Sequence, residues 1–110
     1  MTTNPLMAGP APMHPGELLR EIVIPGTALP KGEIARRLGI SRQHLHNLEQ
    51  EKKGVTPLLA CRLARLFGNS PEHWLRLQEA YDLAKVETES ADALAGIRPL
   101  TAAERDQAAA

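Results

Sequence analysis

The sequence predicts an all-α domain of five short helices, and three observations carry that expectation. No stretch of the chain alternates apolar and polar residues at the two-residue period of a half-buried strand. Apolar residues recur instead at three- and four-residue spacing between residues 14 and 86, punctuated by Pro, Gly, Ser and Thr where helices start and stop. Phe67, Trp74 and Tyr81 are the whole aromatic complement, so the core has to be built from Leu and Ala, both strong helix formers.

The first helix is predicted to open at Pro15, a favoured first-turn residue. It carries Leu18, Leu19 and Ile22 inward and stops at Pro25-Gly26. The second runs over Lys31 to Leu38, with Ile34, Ala35 and Leu38 on one face. Gly39 tolerates the positive φ that closes a helix. Ser41 caps the third helix, which extends to about Glu51 with Leu45 and Leu48 inward, and Gly54 breaks it. Thr56 caps the fourth, with Pro57 at its first position. Leu59, Leu63 and Leu66, and Ala60, Ala64 and Phe67, repeat at helical spacing up to Gly68. Ser70-Pro71 opens the fifth helix, which reaches about Val86. Trp74, Leu77, Tyr81 and Ala84 form a seam with two readings, closure of the core or extension into a dimer interface, and both hold if Leu75, Leu83 or Val86 emerge on the outer side.

The flanks read differently. Residues 1–13 hold Pro5, Gly9, Pro10 and Pro12 without apolar periodicity and are expected to form a disordered lead-in. Residues 87–110 are Ala-rich and acidic, a tail expected to be partly helical or disordered. The compact part is thus residues 14–86, one small domain of a 110-residue chain.

Composition excludes several classes of function. Cys61 is the lone cysteine, which excludes an internal disulfide and a cysteine zinc cluster, and it reads as a small buried hydrophobe. No apolar run approaches the ~20 residues of a membrane span, and the first residues lack the charged and apolar regions of a secretory signal. A cytoplasmic protein without a membrane partner is expected. No G-x-S-x-G, phosphate loop or dinucleotide fingerprint occurs, so no catalytic residue or cofactor is assigned. The histidines are His14, His44, His46 and His73. His44 and His46, two apart on a helix, diverge by about 200° and cannot share a metal. The histidines are read as exposed polar residues near DNA, and no metal site is expected.

The informative segment is residues 31–50, KGEIARRLGISRQHLHNLEQ. Two short helices meet at a tight turn around Gly39-Ile40-Ser41. Ala35 supplies the small residue at their crossing. Ile34, Leu38, Ile40, Leu45 and Leu48 supply apolar anchors, and Gly39 fits the turn. Together these are the scaffold of a helix-turn-helix. Arg42, Gln43, His46 and Asn47 are then left to point outward from the second helix. Arg42 can pair in a bidentate way with guanine, and Gln43 or Asn47 with adenine. Ser41 can bond a phosphate while capping the helix, Lys31 can reach another, and His46 can approach a phosphate or a base edge. His44 joins this DNA-facing set. A helical protein-interaction module that binds no DNA is the alternative that the pattern alone leaves open.

Two further stretches carry a family resemblance. Met13-His14-Pro15-Gly16-Glu17 stands before the motif, and GVTPLLACRLARLFGNSPEHWLRLQEAYDLAKVE comes after it. Together with residues 31–50 they resemble the HigA-type antitoxins of the Cro/C1 (XRE-like) helix-turn-helix family, over roughly residues 13–88. The resemblance implies a five-helix, lambda-repressor-like domain. It also implies a homodimer that binds palindromic operator DNA, represses its own operon, and neutralises a RelE/HigB-like toxin, a ribosome-dependent mRNA endonuclease. The first helix and the acidic tail are the expected toxin-facing surfaces. A plain operator-binding repressor without a toxin is the nearest alternative. The chain departs from the family at Pro30, Lys31 and Gly32, where a Ser or Thr cap followed by Gln is usual, and in a longer stretch before Met13.

Charge distribution bears on the DNA reading. Thirteen basic and thirteen acidic side chains give a formal net charge of zero. Residues 31–53 hold six bases against three acids, whereas residues 87–110 hold two against five. A basic reading head is therefore balanced mainly by an acidic tail. Modest non-specific affinity is expected, with base readout and dimerisation supplying much of the binding.

Overall fold

The computed structural model describes residues 11–109, so most of the predicted lead-in, residues 1–10, lies outside the described residues. Among the described residues the chain is helical and contains no strand. The elements are α1 (Pro15–Leu18), which continues as one π-helical turn over Leu19–Val23, then α2 (Lys31–Leu38), α3 (Arg42–Glu49), α4 (Pro57–Phe67) and α5 (Pro71–Glu89). Two tail helices complete the chain, α6 (Ala91–Ala95) and α7 (Ala102–Ala109). α4 packs along α5, α1 on α3 and α5, and α2 on both α3 and α4. Their shared core is aliphatic around a single buried Trp74, with Leu19, Ile34, Leu38, Leu45, Leu48 and Leu63 fully enclosed.

The helix starts are set by their caps. Ser41 Oγ accepts from His44 N at 2.9 Å, Thr56 Oγ1 from Leu59 N at 3.2 Å and Ser70 Oγ from His73 N at 3.2 Å. Each satisfies a donor that the first turn leaves without a partner. Helix α7 opens on a reciprocal pair, Thr101 N to Glu104 Oε1 and Glu104 N to Thr101 Oγ1. Hydrogen bonding from Thr101, first from its backbone N–H and then from its side chain, holds the Glu104 carboxyl below its ordinary pKa.

Four expectations are corrected. The π-helical turn carries Ile24 N to Leu19 O at 2.9 Å, an extra residue in the ring. The insertion rotates the residues after it around the helix axis, so Ile22 is exposed and Ile24 takes the buried position. Helix α3 ends at Glu49, well before Gly54, because Glu51 itself adopts φ 63°. Lys52 N then bonds Asn47 O and Glu51 N bonds Leu48 O, the pairing that ordinarily accompanies a glycine. Cys61 is exposed: it sits one residue past Ala60, on the side of α4 turned away from Leu59 and Leu63. His14 is buried, at the foot of α1 and not among exposed polar residues.

His14 explains the start of the domain. Its Nδ1 accepts from Gly16 N at 2.9 Å, so the ring is the N-cap of α1. The ring also meets Tyr81 of α5 edge-on, with centroids 4.8 Å apart. Burial lowers its pKa, against the pull of Glu51, Asp82 and Glu17 and with a small contribution from Lys85. The folded state therefore prefers the neutral ring and binds fewer protons than the unfolded chain. The stability that His14 contributes is present above about pH 6.5 and is lost as pH falls below it. Melting curves from pH 8 to pH 5 should show a steeper loss in the wild type than in His14→Asn, which keeps a capping acceptor that does not titrate.

Candidate nucleic-acid interface

The helix-turn-helix is set by contacts at both of its C-terminal ends. Gly39, at φ 73°, ends α2, and Ile40 N bonds back to Ala35 O at 3.1 Å. From α4, Arg62 Nη1 donates to Leu38 O at 2.8 Å. From the π-helical turn, Arg20 Nη1 donates to Glu49 O at the end of α3. Two cations thus cover carbonyls that each helix leaves without an internal donor. Ile34, Ala35, Leu38, Leu45 and Leu48 are buried and Ile40 is half-buried, so the predicted scaffold residues lie together at the crossing.

The outer face of α3 remains uncovered. Arg42, Gln43 and His46 are exposed and Asn47 is half-buried. Gln43 Nε2 donates to Asn47 Oδ1 at 2.9 Å, one turn along the helix. This bond fixes both amides side by side and leaves the Asn47 amino group and the Gln43 carbonyl for a ligand. Arg42 lies across Gly32 of α2, where an added Cβ would stand 3.4 Å from Nε.

A shallow groove of about 260 Å³ runs between α2 and α3, lined by Lys31, Arg42, Gln43, Leu45, His46 and Glu49. Sequence reasoning does not single out Glu49, because acidic residues near a helix end are common on surfaces. Its side chain is only 2% exposed, and Lys31 Nζ lies 2.9 Å from its Oε2. His44 stands apart from this groove. It lines a second one with Gly39, Leu58 and Arg62, on the flank turned toward α4. His44 and His46 therefore diverge as their spacing requires, and among the described residues no three His, Cys, Asp or Glu side chains gather at one point.

The charges behind the motif are partly engaged. Glu33 bonds both Arg36 and Arg37 along α2, and these two guanidinium groups hold its carboxyl at a pKa of about 2. Two of the six bases of the head thus share one carboxylate along α2, while its net charge stays as counted. No helix among the described residues is long and apolar enough to cross a membrane.

A helix-turn-helix family model matches residues 29–75. Virulence-associated protein I of Dichelobacter nodosus is 37% identical over 75 residues, which cover 68% of this chain and 69% of that protein. Two solved structures are similar throughout the fold. Antitoxin GraA in complex with its operator aligns with a TM-score of 0.77 at 33% identity, over 93% of this chain and 100% of that one. Pseudomonas aeruginosa antitoxin HigA with the higBA promoter aligns with a TM-score of 0.76 at 31% identity, over 82% and 99%.

Proposed function

We propose, for a chain that belongs to the Cro/C1-type helix-turn-helix family alongside the HigA and GraA antitoxins, that it is an operator-binding repressor and the antitoxin of a toxin-antitoxin pair. The observation that carries this reading is the outer face of α3. Arg42, Gln43 and His46 are exposed there, Gln43 and Asn47 are bonded to each other, and structural neighbours of the chain include antitoxins solved with operator or promoter DNA. Arg42 reads guanine, and the Gln43–Asn47 pair reads adenine, from the major groove. Ser41, whose oxygen already caps α3, donates its hydroxyl to a phosphate. Lys31 and His46 approach the backbone from the groove rim. His44, on the α4 flank, contributes from outside that groove.

Reading a palindrome takes two copies with recognition helices about 34 Å apart. Leu83 and Val86 are 51% and 49% exposed on α5, and Leu75 is partly buried beside them. Leu75 and Leu83, with Val55, border a mainly apolar groove of about 420 Å³, which suits a second copy of the same helix. The tail is exposed throughout residues 91–106, where Asp92, Glu104 and Asp106 stand against Arg98 and Arg105, and Glu87 and Glu89 precede it on α5. It suits a basic partner such as a RelE/HigB-like nuclease, with the first helix as the other candidate surface.

Co-expression with the product of the adjacent coding sequence, followed by a gel shift on the shared promoter, tests both halves. A stable complex of the two proteins and a shifted promoter band are expected. A shifted band with no captured partner leaves a plain repressor, and a captured partner with no shift leaves a protein-interaction module.

A further inference from the structure

Among the described residues, the two carboxylate oxygens of Glu49 are the buried side-chain polar atoms without a hydrogen-bond donor. Lys31 Nζ lies 2.9 Å from Oε2, close enough for an ion pair but not aligned as a hydrogen bond. The partners are unequal in exposure: the Lys31 side chain is 62% exposed and that of Glu49 2%. Arg42 and His46 line the same groove without bonding the carboxylate. Arg20, from the π-helical turn, takes the Glu49 backbone carbonyl and the carboxylate of Glu51 instead.

A carboxylate withdrawn from water needs a matching cation, because its lost hydration is not otherwise replaced. Lys31 is that cation, and it stands at the start of α2 on the face assigned to DNA. A phosphate arriving there competes with a fixed, buried anion for a single ammonium. We propose that Glu49 is a positioning residue that restrains Lys31, holding its charge in the groove and lowering the sequence-independent part of DNA affinity. The inference rests on the DNA-binding reading above. It accounts for a lysine on the reading face that is already paired, and for an acid enclosed beneath a surface meant for an anion.

The test uses the full chain and labelled duplexes, one with the promoter sequence and one scrambled, across a salt series. Glu49→Gln keeps the shape of the side chain and removes its charge. It is expected to bind both duplexes about fivefold more tightly at low salt, the worth of one charge pair in water. Its log–log salt slope should steepen by about 0.9, the signature of one more neutralised phosphate. The gain should vanish in Lys31→Gln/Glu49→Gln, where there is no ammonium to release. Melting curves check folding, and Glu49→Met carries the same expectation if the amide destabilises the groove. A Glu49→Gln affinity and slope equal to the wild type, or a gain that persists without Lys31, overturns the proposal. A wild type that binds neither duplex overturns the DNA reading as well, whereas a binding wild type with an unchanged variant overturns this inference alone.

Discussion

Replacing Gly16 by alanine should destabilise the domain by about 2 kcal/mol or more, although helix propensity alone favours alanine by about 1 kcal/mol. Gly16 lies inside α1, where α1 crosses the end of α3. A Cβ there would sit 1.8 Å from the Leu48 carbonyl oxygen and 2.9 Å from its carbon. Both are backbone atoms, so no side chain can swing aside, and the two helices must separate. The same movement would disturb the His14 cap, whose Nδ1 lies 3.1 Å from the added atom. A loss of this size lowers the melting temperature by roughly 8–16 °C in a domain of this length. An unchanged or raised melting temperature would show that propensity outweighs the crossing.

Arg42→Ala should weaken binding to the promoter by about 1–3 kcal/mol, or roughly 5- to 150-fold, with the melting temperature held. The side chain is exposed, so its removal opens no cavity. The loss should be specific. Affinity for a scrambled duplex falls by much less, because the bidentate pair with guanine is lost in one complex and absent from the other. Asn47→Ala should behave in the same way, since it removes one adenine contact and also the partner that orients Gln43. Equal loss on both duplexes would assign Arg42 to the phosphate backbone.

Both substitutions address features that differ in how plainly the sequence displays them. The bounds of α2, the caps at Ser41, Thr56 and Ser70, and the turn at Gly39 obey local rules, so the sequence displays them. The outward position of Arg42, Gln43 and His46 is legible from the same periodicity. The features that stay hidden depend on residues distant in sequence. The π-helical turn moves Ile24 inward because α1 must continue onto the core, and no residue within it signals an insertion. Glu51 takes a left-handed conformation usually left to glycine, so the true end of α3 carries no warning. Glu49 looks like any surface acid until Lys31, from another helix, is brought beside it. Trp74 is legible as core, but not the bond from its Nε1 to Asn69 Oδ1 at 2.7 Å that satisfies it while buried. The Gln78 side chain likewise accepts from Val55 N across two elements. Met13 to Glu17 stand out as a motif whose role the sequence does not display. The close approach of Gly16 to Leu48 and the His14 cap supply that role, which is structural.

Whether the face of α3 reads a particular DNA sequence is decided by a fluorescence anisotropy titration. The wild-type chain is titrated against a duplex from its own promoter and against a scrambled duplex of equal length, at about 0.15 M salt. Promoter binding is expected to be at least about a thousandfold tighter than binding to the scrambled duplex. Equal affinities for the two duplexes would contradict it.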